Sequence, residues 1–301
     1  MSYIGSKLIG YLRLMRPANI LTAIADILAG IAISGYWFRA DMYCLDARLR
    51  IACLCLATIG LYGGGVMFND IMDAKLDKIE RPERPIPSGV ITVGQAIILA
   101  SYLLLVGILA AFTVGSTAGY IAIATAVSAL VYNRWGKHNQ VLGPFNMGLC
   151  RGLNLLLGVS IWEPALLQYW WIGLLPVVYI AAVTAISRGE VYGGNKRVLR
   201  IAAVGYAVVY TSIAILAALN GRIWQALPFI LLFAFMINKP LANAMKDPSG
   251  PNIGKAVKGG IIALIAMNAA WGAAFVSIPF ALCVLLLLPL SLWLAKVFAV
   301  T

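Results

Sequence analysis

The stretch LRIACLCLATIGLYGGGVMFNDIMDAKLD, residues 49–77, decides how this chain folds and what it can bind. Its first part, Leu49–Phe68, is almost entirely apolar, and a helix of that length crosses a hydrocarbon core of about 30 Å. The run then ends in an asparagine and three aspartates at helical spacing. Because side chains three or four residues apart share a helix face, we expect Asn69, Asp73 and Asp77 to align.

This acidic cluster has the chemistry of a magnesium site. Oxygen ligands without cysteine or histidine partners suit a hard cation, and Mg2+ in proteins usually binds phosphate oxygens as well. The alternative is a solvated helix end in which nearby basic residues balance the acids, namely Lys75, Lys78, Arg81 and Arg84. Acidic residues at the boundary of a membrane span are costly and usually functional, which favours the metal site. A magnesium-diphosphate site at a membrane surface predicts a lipid diphosphate as substrate.

The composition of the chain indicates an integral membrane protein. Of its 301 residues, 62% are hydrophobic and 11% are charged, which is far too apolar for a soluble globule. Ten apolar runs are long enough, or nearly so, to cross a membrane, and none alternates as a barrel strand does. The predicted fold is an all-α membrane protein, a polytopic helical bundle forming one domain over residues 1–301. The ten runs are Arg16–Trp37, Leu49–Phe68, Thr92–Thr113, Ala118–Tyr132, Val141–Ile161, Tyr169–Ser187, Val198–Leu219, Ile223–Ile237, Ala256–Phe275 and Pro279–Phe298.

Lysine and arginine are distributed unevenly between the two ends of these runs. With the amino terminus inside, the outer ends hold only Arg39, Arg48, Arg50 and Arg222, and the inner ends hold nearly all the others. The positive-inside rule therefore predicts a cytoplasmic amino terminus. The net charge of +12 is then mostly a topology signal, so we expect membrane lipids as partners and no nucleic acid. Nothing in the sequence points to a protein partner.

Three stretches resemble the UbiA superfamily of intramembrane prenyltransferases. The pattern NDxxDxxxD at residues 69–77, followed by RPxRPxPSG at 81–89, resembles the first aspartate-rich motif of that family. LMRPANILTA at 14–23 resembles the entry to its first helix, with Asn19 as the family asparagine. YNRWGK at 132–137 resembles its Tyr…Lys segment after the fourth helix.

This resemblance covers about residues 10–275 and implies nine transmembrane helices around a central cavity that opens to the cytoplasmic side. The last apolar run is then an added tenth helix. The sequences SRGEVYGGN at 187–195 and AVKGGI at 256–261 are similar to the EboC branch of the superfamily. That branch implies a bacterial inner membrane and a hydroxyl-rich, cyclitol-like acceptor.

The loop at residues 187–200, called here the 187–200 loop, departs from the family pattern. Where the family has a second pair of aspartates, this loop offers one carboxylate, Glu190, and a neutral Asn195. One alternative is that these two hold a second Mg2+ weakly. The other is that cations of the loop replace the metal charge by binding diphosphate oxygens directly. The cations concerned are Arg188, Lys196 and Arg197.

The resemblance implies Mg2+-dependent transfer of a prenyl group from a polyprenyl diphosphate to a small acceptor, aromatic or hydroxylated. The expected catalytic residues are Asp70, Asp73 and Glu190. The expected Mg2+ ligands are Asn69, Asp70, Asp73, Asp77, Glu190 and Asn195. The expected diphosphate-binding residues are Lys78, Arg81, Arg84, Lys137, Arg188, Lys196 and Arg197. The candidates for lining the acceptor cavity are Asn19, Tyr132, Arg151, Asn154 and Tyr192.

Two alternatives remain open at the level of sequence. Arg151 lies within an apolar run and must face either a polar cavity or a partner, and that partner could be Asp26 in a purely structural pair. The second alternative concerns function: the incomplete second motif would suit a non-catalytic protein that binds or transports a lipid or a pathway intermediate. The intact first motif favours an enzyme, because a carrier has no evident need for aligned aspartates beside basic residues.

Overall fold

The computed structural model describes residues 3–190 and 193–298. Within these two ranges helix is the regular secondary structure, and the prediction of an all-α protein is confirmed. Two 3₁₀ turns, Gly136–His138 and Trp170–Gly173, interrupt the succession of α-helices. The α-helices are α1 (Tyr3–Met15), α2 (Pro17–Ile33), α3 (Tyr36–Arg39), α4 (Leu45–Met72), α5 (Ala74–Glu80), α6 (Val93–Phe112), α7 (Ser116–Arg134), α8 (Leu142–Val159), α9 (Glu163–Tyr169), α10 (Leu174–Ser187), α11 (Lys196–Leu219), α12 (Ile223–Lys246), α13 (Gly250–Phe275), α14 (Ile278–Leu285) and α15 (Leu287–Phe298).

Seven helical stretches of the described chain are long and apolar enough to cross a membrane: α4, α6, α9–α10, α11, α12, α13 and α14–α15. The pair α1–α2, which is bent by 44°, would make an eighth. Each of the ten predicted runs falls on a helix, but α7 and α8 are not among the seven. Buried polar residues such as Asn133 in α7 and Arg151 in α8 make these two helices less apolar. The count of ten spans therefore stays a prediction.

The segment between α12 and α13 is only three residues long, 247–249. Residues 238–255 are rich in Pro, Gly and Asn, a composition that predicts a longer connector, and that prediction is wrong because most of these residues are helical. Helix α12 continues past Pro240 to Lys246, and α13 begins at Gly250. Gly259 of α13 makes room for the proline ring, because a Cβ there would lie 3.1 Å from Pro240 Cγ. Packing of this kind lets proline persist within a membrane helix.

Glycines let helices α2 and α8 cross with their backbones in contact. A Cβ built on Gly158 would lie 2.4 Å from the carbonyl oxygen of Ile27, and one built on Gly30 would lie 2.3 Å from that of Leu155. Small residues at a crossing permit the close approach that holds membrane helices together. This crossing fixes the distance between the two helices that carry Asp26 and Arg151.

Several helices end or begin at one end of the bundle, which we call the motif end because it carries residues 69–77. Helices α4, α7 and α10 finish there, and α2, α8 and α13 start there. The last helix, α15, packs against α2, where the Ser291 hydroxyl donates to the carbonyl oxygen of Ala18 at 2.8 Å. The motif end is thus built from helix termini, where side chains and unpaired backbone groups are available to a ligand.

We predict that Gly158→Ala lowers the stability of the protein. The added methyl group would meet the α2 backbone, which cannot move aside as a flexible side chain could, so the two helices must separate. Overpacking of this kind costs about 1–3 kcal/mol. The measurement is the thermal unfolding midpoint of the purified protein in detergent.

Gly254→Ala in α13 is the matched control, because a Cβ at that position has no atom within 4 Å. This variant is expected to be as stable as the parent or slightly more so, since alanine favours helix over glycine. Equal midpoints for the two variants would show that the α2–α8 crossing is not tight.

Candidate active site

The acidic motif occupies the end of α4 and the adjoining α5. The backbone N–H of Asp73 donates to the Asn69 carbonyl oxygen at 3.0 Å, and that of Asp77 donates to the Asp73 carbonyl oxygen at 2.8 Å, so the helical path continues across the junction. Asp70 and Asp77, two turns apart, are 5% and 4% exposed, and Asp73 is half-buried. The buried acidic row is therefore Asp70–Asp77, whereas the spacing suggested Asn69–Asp73–Asp77.

Arg84 connects the two buried carboxylates. It lies in the proline-rich turn of residues 81–89, which the buried side chain of Ile86 anchors beneath the bundle end. Its Nη1 atom is 3.3 Å from Asp70 Oδ1 and 2.8 Å from Asp77 Oδ2. A residue that the sequence assigned to diphosphate binding is thus placed directly on the acidic motif.

Arg16 reaches the same cluster from the break between α1 and α2. Its Nη2 atom is 2.9 Å from Asp70 Oδ1. Its backbone has φ 52° and ψ 65°, the left-handed region, and it is the one non-glycine residue of the described chain with a positive φ. That conformation costs an L-residue about 1–2 kcal/mol, and Pro17 starts α2 immediately afterwards.

Lys137 completes the cluster from the 3₁₀ turn after α7. Its ammonium group donates to Asp73 Oδ1. The YNRWGK segment is therefore adjacent to the acidic motif, although more than fifty residues separate them in sequence. Three carboxylates and three cations meet at the motif end and balance in charge; they are Asp70, Asp73, Asp77, Arg16, Arg84 and Lys137.

A cavity of about 340 Å³ extends from this cluster into the bundle. Asn69 lines it at the motif end and Thr58 lines it deeper. Both belong to α4 and are eleven residues apart, which is about 16 Å of helix. Four of the five predicted acceptor residues line the cavity, namely Asn19, Tyr132, Arg151 and Asn154. The fifth, Tyr192, lies outside the described residues.

A buried polar network forms the deep wall of this cavity. Arg151 Nη1 is 2.9 Å from Asp26 Oδ2, and Arg151 Nη2 donates to the Thr22 hydroxyl. Asp26 is 0% exposed and also accepts hydrogen bonds from Asn154 Nδ2 at 3.1 Å and from Asn268 Nδ2 at 2.7 Å. Both sequence interpretations of Arg151 hold at once, since it lines the cavity and pairs with Asp26.

Sequence reasoning missed several polar residues at or next to the cavity, among them Arg16 at the motif end. The Thr58 hydroxyl donates to Asn154 Oδ1 at 2.7 Å, and Asn133 Nδ2 donates to the Gly65 carbonyl oxygen at 2.8 Å. Asn268 had a usable signal, because it stands alone in an apolar run and polar groups within membrane helices are usually functional. A threonine carries little such signal, since its hydroxyl can bond to its own helix.

The 187–200 loop contributes groups of a different kind. Asn195 Oδ1 accepts a hydrogen bond from the backbone N–H of Arg197 at 2.8 Å, so Asn195 caps α11. Glu190 is exposed; partial burial raises the pKa of its carboxyl above the usual range, and the Arg81 guanidinium opposes that shift. Arg188 donates to the carbonyl oxygen of Asn139. Five of the predicted diphosphate-binding residues have exposed side chains: Lys78, Arg81, Arg188, Lys196 and Arg197.

The donor set fits a hard divalent cation. Over residues 3–190 and 193–298, no three His, Cys, Asp or Glu side chains are grouped closely enough to hold a metal ion by themselves. Asp70 and Asp77 nevertheless both contact the Nη1 atom of Arg84. A metal ion bound by the two carboxylates would take the position of that nitrogen. The Asn69 side chain, which lines the cavity next to Asp70, offers a further oxygen. These donors are all oxygen atoms, the ligands that Mg2+ prefers.

Comparison with known proteins identifies the family. The UbiA prenyltransferase family matches residues 27–248, more than two thirds of the chain. Digeranylgeranylglyceryl phosphate synthase of Methanosarcina mazei is 32% identical over 244 residues, covering 73% of this chain and 79% of that protein. The synthase of the same name from Metallosphaera sedula is 31% identical over 184 residues, covering 61% of each chain.

Solved structures show the same fold. A structure of digeranylgeranylglyceryl phosphate synthase has a TM-score of 0.63 at 23% identity and covers 89% of this chain and 99% of its own. A UbiA homologue from Archaeoglobus fulgidus, bound to DMAPP and Mg2+, has a TM-score of 0.63 at 18% identity and covers 88% of this chain and 98% of its own. From the extent of the family match and the identity to the Methanosarcina synthase, the chain belongs to the UbiA prenyltransferase family.

Proposed function

We propose that this protein transfers a prenyl group from a prenyl diphosphate to a small acceptor within the membrane, in a Mg2+-dependent reaction. The observation that carries the proposal is the meeting of three carboxylates and three cations at the motif end of a polar cavity. A magnesium diphosphate needs both kinds of group, since carboxylates bind the metal and cations bind the phosphate oxygens. Support also comes from the matched synthases and from the homologue bound to DMAPP and Mg2+.

On this proposal, substrate binding replaces the ion pairs between carboxylates and cations with contacts from the carboxylates to Mg2+ and from the cations to the diphosphate. Asp70, Asp73 and Asp77 would hold Mg2+, which neutralises the diphosphate and makes it a better leaving group. The cations released from these carboxylates then bind the diphosphate oxygens. Because the charges of the cluster are balanced before binding, Mg2+ or diphosphate alone would leave one kind of group without its partner. The cations in question are Arg16, Arg84 and Lys137.

Transfer breaks the bond between the prenyl C1 carbon and the diphosphate oxygen, and the electron pair leaves with the diphosphate. An oxygen or a ring carbon of the acceptor forms the new bond to C1, and the acceptor loses a proton. We retain Glu190 as the proposed base because it is the one carboxylate of the 187–200 loop. Its pKa is raised by partial burial, a direction that favours proton abstraction, but its exposed side chain is not among the residues that line the cavity. The enclosing helices keep water away from the reactive carbon.

For the 187–200 loop we propose that cations, and not a second metal, complete the diphosphate site. The amide oxygen of Asn195 is already used in capping α11, and Glu190 is exposed beside Arg81. Lys196 and Arg197 stand at the start of the same helix with exposed side chains. The amino-terminal end of a helix also attracts anions.

The class of acceptor, the type of membrane and the side of the amino terminus are more specific proposals. The named product of the matched synthases contains a glyceryl group and a phosphate, which favours a hydroxylated, phosphate-bearing acceptor over an aromatic one. A cyclitol-like acceptor, a bacterial inner membrane and a cytoplasmic amino terminus stay predictions from sequence. The alternative of a non-catalytic carrier draws on the incomplete second motif. It does not account for the paired charges at the first motif.

We predict that Asp70→Ala and Asp73→Ala each lower Mg2+-dependent diphosphate release by at least ~100-fold, because each removes charge that the metal needs. The assay uses detergent-purified protein, labelled geranylgeranyl diphosphate, Mg2+ and a set of hydroxylated and aromatic acceptors. Asp46→Ala is the control, since Asp46 lies in the first turn of α4 at the opposite end. If the parent protein releases no diphosphate from any prenyl donor with any of these acceptors, the result favours the carrier alternative.

A second prediction tests the exchange of partners. Arg84→Gln removes the cation that occupies the space between Asp70 and Asp77, so Mg2+ alone should bind more tightly while geranylgeranyl diphosphate binds more weakly. Isothermal titration measures both affinities. Arg48→Gln, an exposed arginine at the other end of the bundle, should change neither. A decrease in both affinities for Arg84→Gln would argue against the exchange.

A third prediction distinguishes the two interpretations of the 187–200 loop. Asn195→Asp should leave the Mg2+ affinity unchanged, because aspartate caps a helix as well as asparagine does and the metal is held elsewhere. Lys196→Gln with Arg197→Gln should weaken diphosphate binding at constant Mg2+ affinity. A tighter Mg2+ affinity in Asn195→Asp would instead place residue 195 at a second metal.

A further inference from the structure

Asn133 is a buried amide that joins two helices of the candidate site. It lies near the end of α7 and is 4% exposed, and its Nδ2 atom donates to the Gly65 carbonyl oxygen of α4 at 2.8 Å. We propose that Asn133 is a positioning residue, whose bond to α4 fixes the alignment of α7 that places Lys137 beside Asp73. This inference rests on the proposed function and adds a residue to the same site.

The carbonyl group of Gly65 does not need the bond from Asn133. Gly65 lies within α4, where its oxygen also accepts a hydrogen bond from the backbone N–H four residues later, that of Asn69. Burying a side-chain amide costs free energy, which its hydrogen bond only offsets. An apolar side chain of similar size at this position would therefore stabilise the bundle about as well. What the amide adds is a fixed distance and direction between the two helices.

Helices α4 and α7 run in the same direction and approach each other closely at this level. A Cβ built on Gly65 would lie 3.3 Å from the Cβ of Ala129, which is one turn before Asn133. Lys137 follows four residues after Asn133, and its partner Asp73 lies two turns beyond Gly65. The hydrogen bond of Asn133 is thus the last fixed point between the two helices before Lys137 meets Asp73.

Other polar side chains of α7 do not tie it to α4. The Thr125 hydroxyl donates to the carbonyl oxygen of Ile121 in its own helix, and the Ser128 hydroxyl bonds to the Asn146 side chain of α8. Among the described residues, the side-chain hydrogen bond between α7 and α4 is the one that Asn133 makes. Losing it would leave the end of α7 held beside α4 by apolar packing, which has no preferred direction.

Lys137 has little freedom to compensate for a shift of α7. Its side chain is 15% exposed, and it follows the end of α7 within a short 3₁₀ turn. On the proposed function, this ammonium group binds the diphosphate after Mg2+ has taken Asp73. A displacement of about 1 Å is enough to weaken contacts that depend on placement. The alignment at Asn133 therefore determines where this cation meets the diphosphate.

The experiment is a double-mutant cycle on donor binding. Asn133→Leu removes the amide at similar volume, and Lys137→Gln removes the cation. Isothermal titration measures the affinity of the parent, the two single variants and the double variant for a thiodiphosphate analogue of geranylgeranyl diphosphate with Mg2+. Asn133→Leu should weaken binding at least ~5-fold in the parent protein. It should weaken binding less than ~2-fold in the Lys137→Gln background, because the cation that it misplaces is then absent.

Asn220→Ala is the matched control. The Asn220 Nδ2 atom also donates to a carbonyl oxygen of another helix, that of Ala274, at the end of the bundle opposite the motif end. This variant should leave the donor affinity unchanged. The thermal unfolding midpoint of Asn133→Leu should equal that of the parent or exceed it, since no backbone group loses its partner. If Asn133→Leu does not fold, Asn133→Ala removes the same bond without added bulk and takes its place in the cycle.

Three results would overturn the inference: an unchanged donor affinity without the amide, an equal loss of affinity in the parent and Lys137→Gln backgrounds, or the same loss in Asn220→Ala. Absence of donor binding by the parent would overturn the inference and the proposed function together. Failure of the proposed function alone gives a different result, namely donor binding without Mg2+-dependent diphosphate release. The titration measures binding without turnover, so the two failures are distinguishable.

Discussion

Ion pairing at the end of α4 is the interaction on which the rest of this structure depends. The end of α4 and the adjoining α5 carry three carboxylates, two of them buried, and each lies beside a cation from a distant segment: Arg16 from the α1–α2 break, Arg84 from the proline-rich turn and Lys137 from the turn after α7. For the most buried of these pairs, Arg84–Asp77, removing one partner costs about 3–5 kcal/mol, because it leaves a charge without compensation. The same pairs therefore fix the ends of several helices and supply the groups that the proposed reaction needs.

The network of Asp26 and Arg151 is held more firmly than the ion pairs of the motif end. At the motif end the charges are partly exposed and can exchange partners, whereas Asp26 and Arg151 are enclosed by helices whose backbones touch. A close glycine crossing leaves no space for either side chain to turn away. The fold thus combines a polar region that can rearrange with one that cannot, about 16 Å apart along α4. On the proposed function, the motif end binds the diphosphate leaving group, and the Asp26–Arg151 network forms the wall of the cavity that holds the rest of the substrates.

Much of this arrangement was predictable from local sequence. Apolar runs, basic loops and the acidic motif are patterns of neighbouring residues, and with the family resemblance they predicted the helical fold and four of the residues that line the cavity. Metal binding by the acidic motif stays a prediction. The orientation of the acids was not predictable, because Arg84 and Lys137 select which carboxylates face inward. The cap formed by Asn195 was also missed, since a family pattern directed attention to metal ligands at that position.

The remaining differences come from contacts between residues far apart in the chain. Asn268 joins Asp26 across more than two hundred residues, and Gly259 lets α12 continue past Pro240. The windows of about 11–18 residues in which helical periodicity is judged are too short to contain both members of either pair. Arg16 is a similar case, because its left-handed backbone depends on where Asp70 lies. Such features need the assembled bundle before they can be recognised.

The backbone of Arg16 has one more consequence. Arg16 combines a left-handed backbone, which costs an L-residue about 1–2 kcal/mol, with a guanidinium that lies 2.9 Å from Asp70 Oδ1. The bend that separates α1 from α2 and the acidic motif therefore share one residue. A substitution of Arg16 would alter both the direction of the first span and the charge of the site.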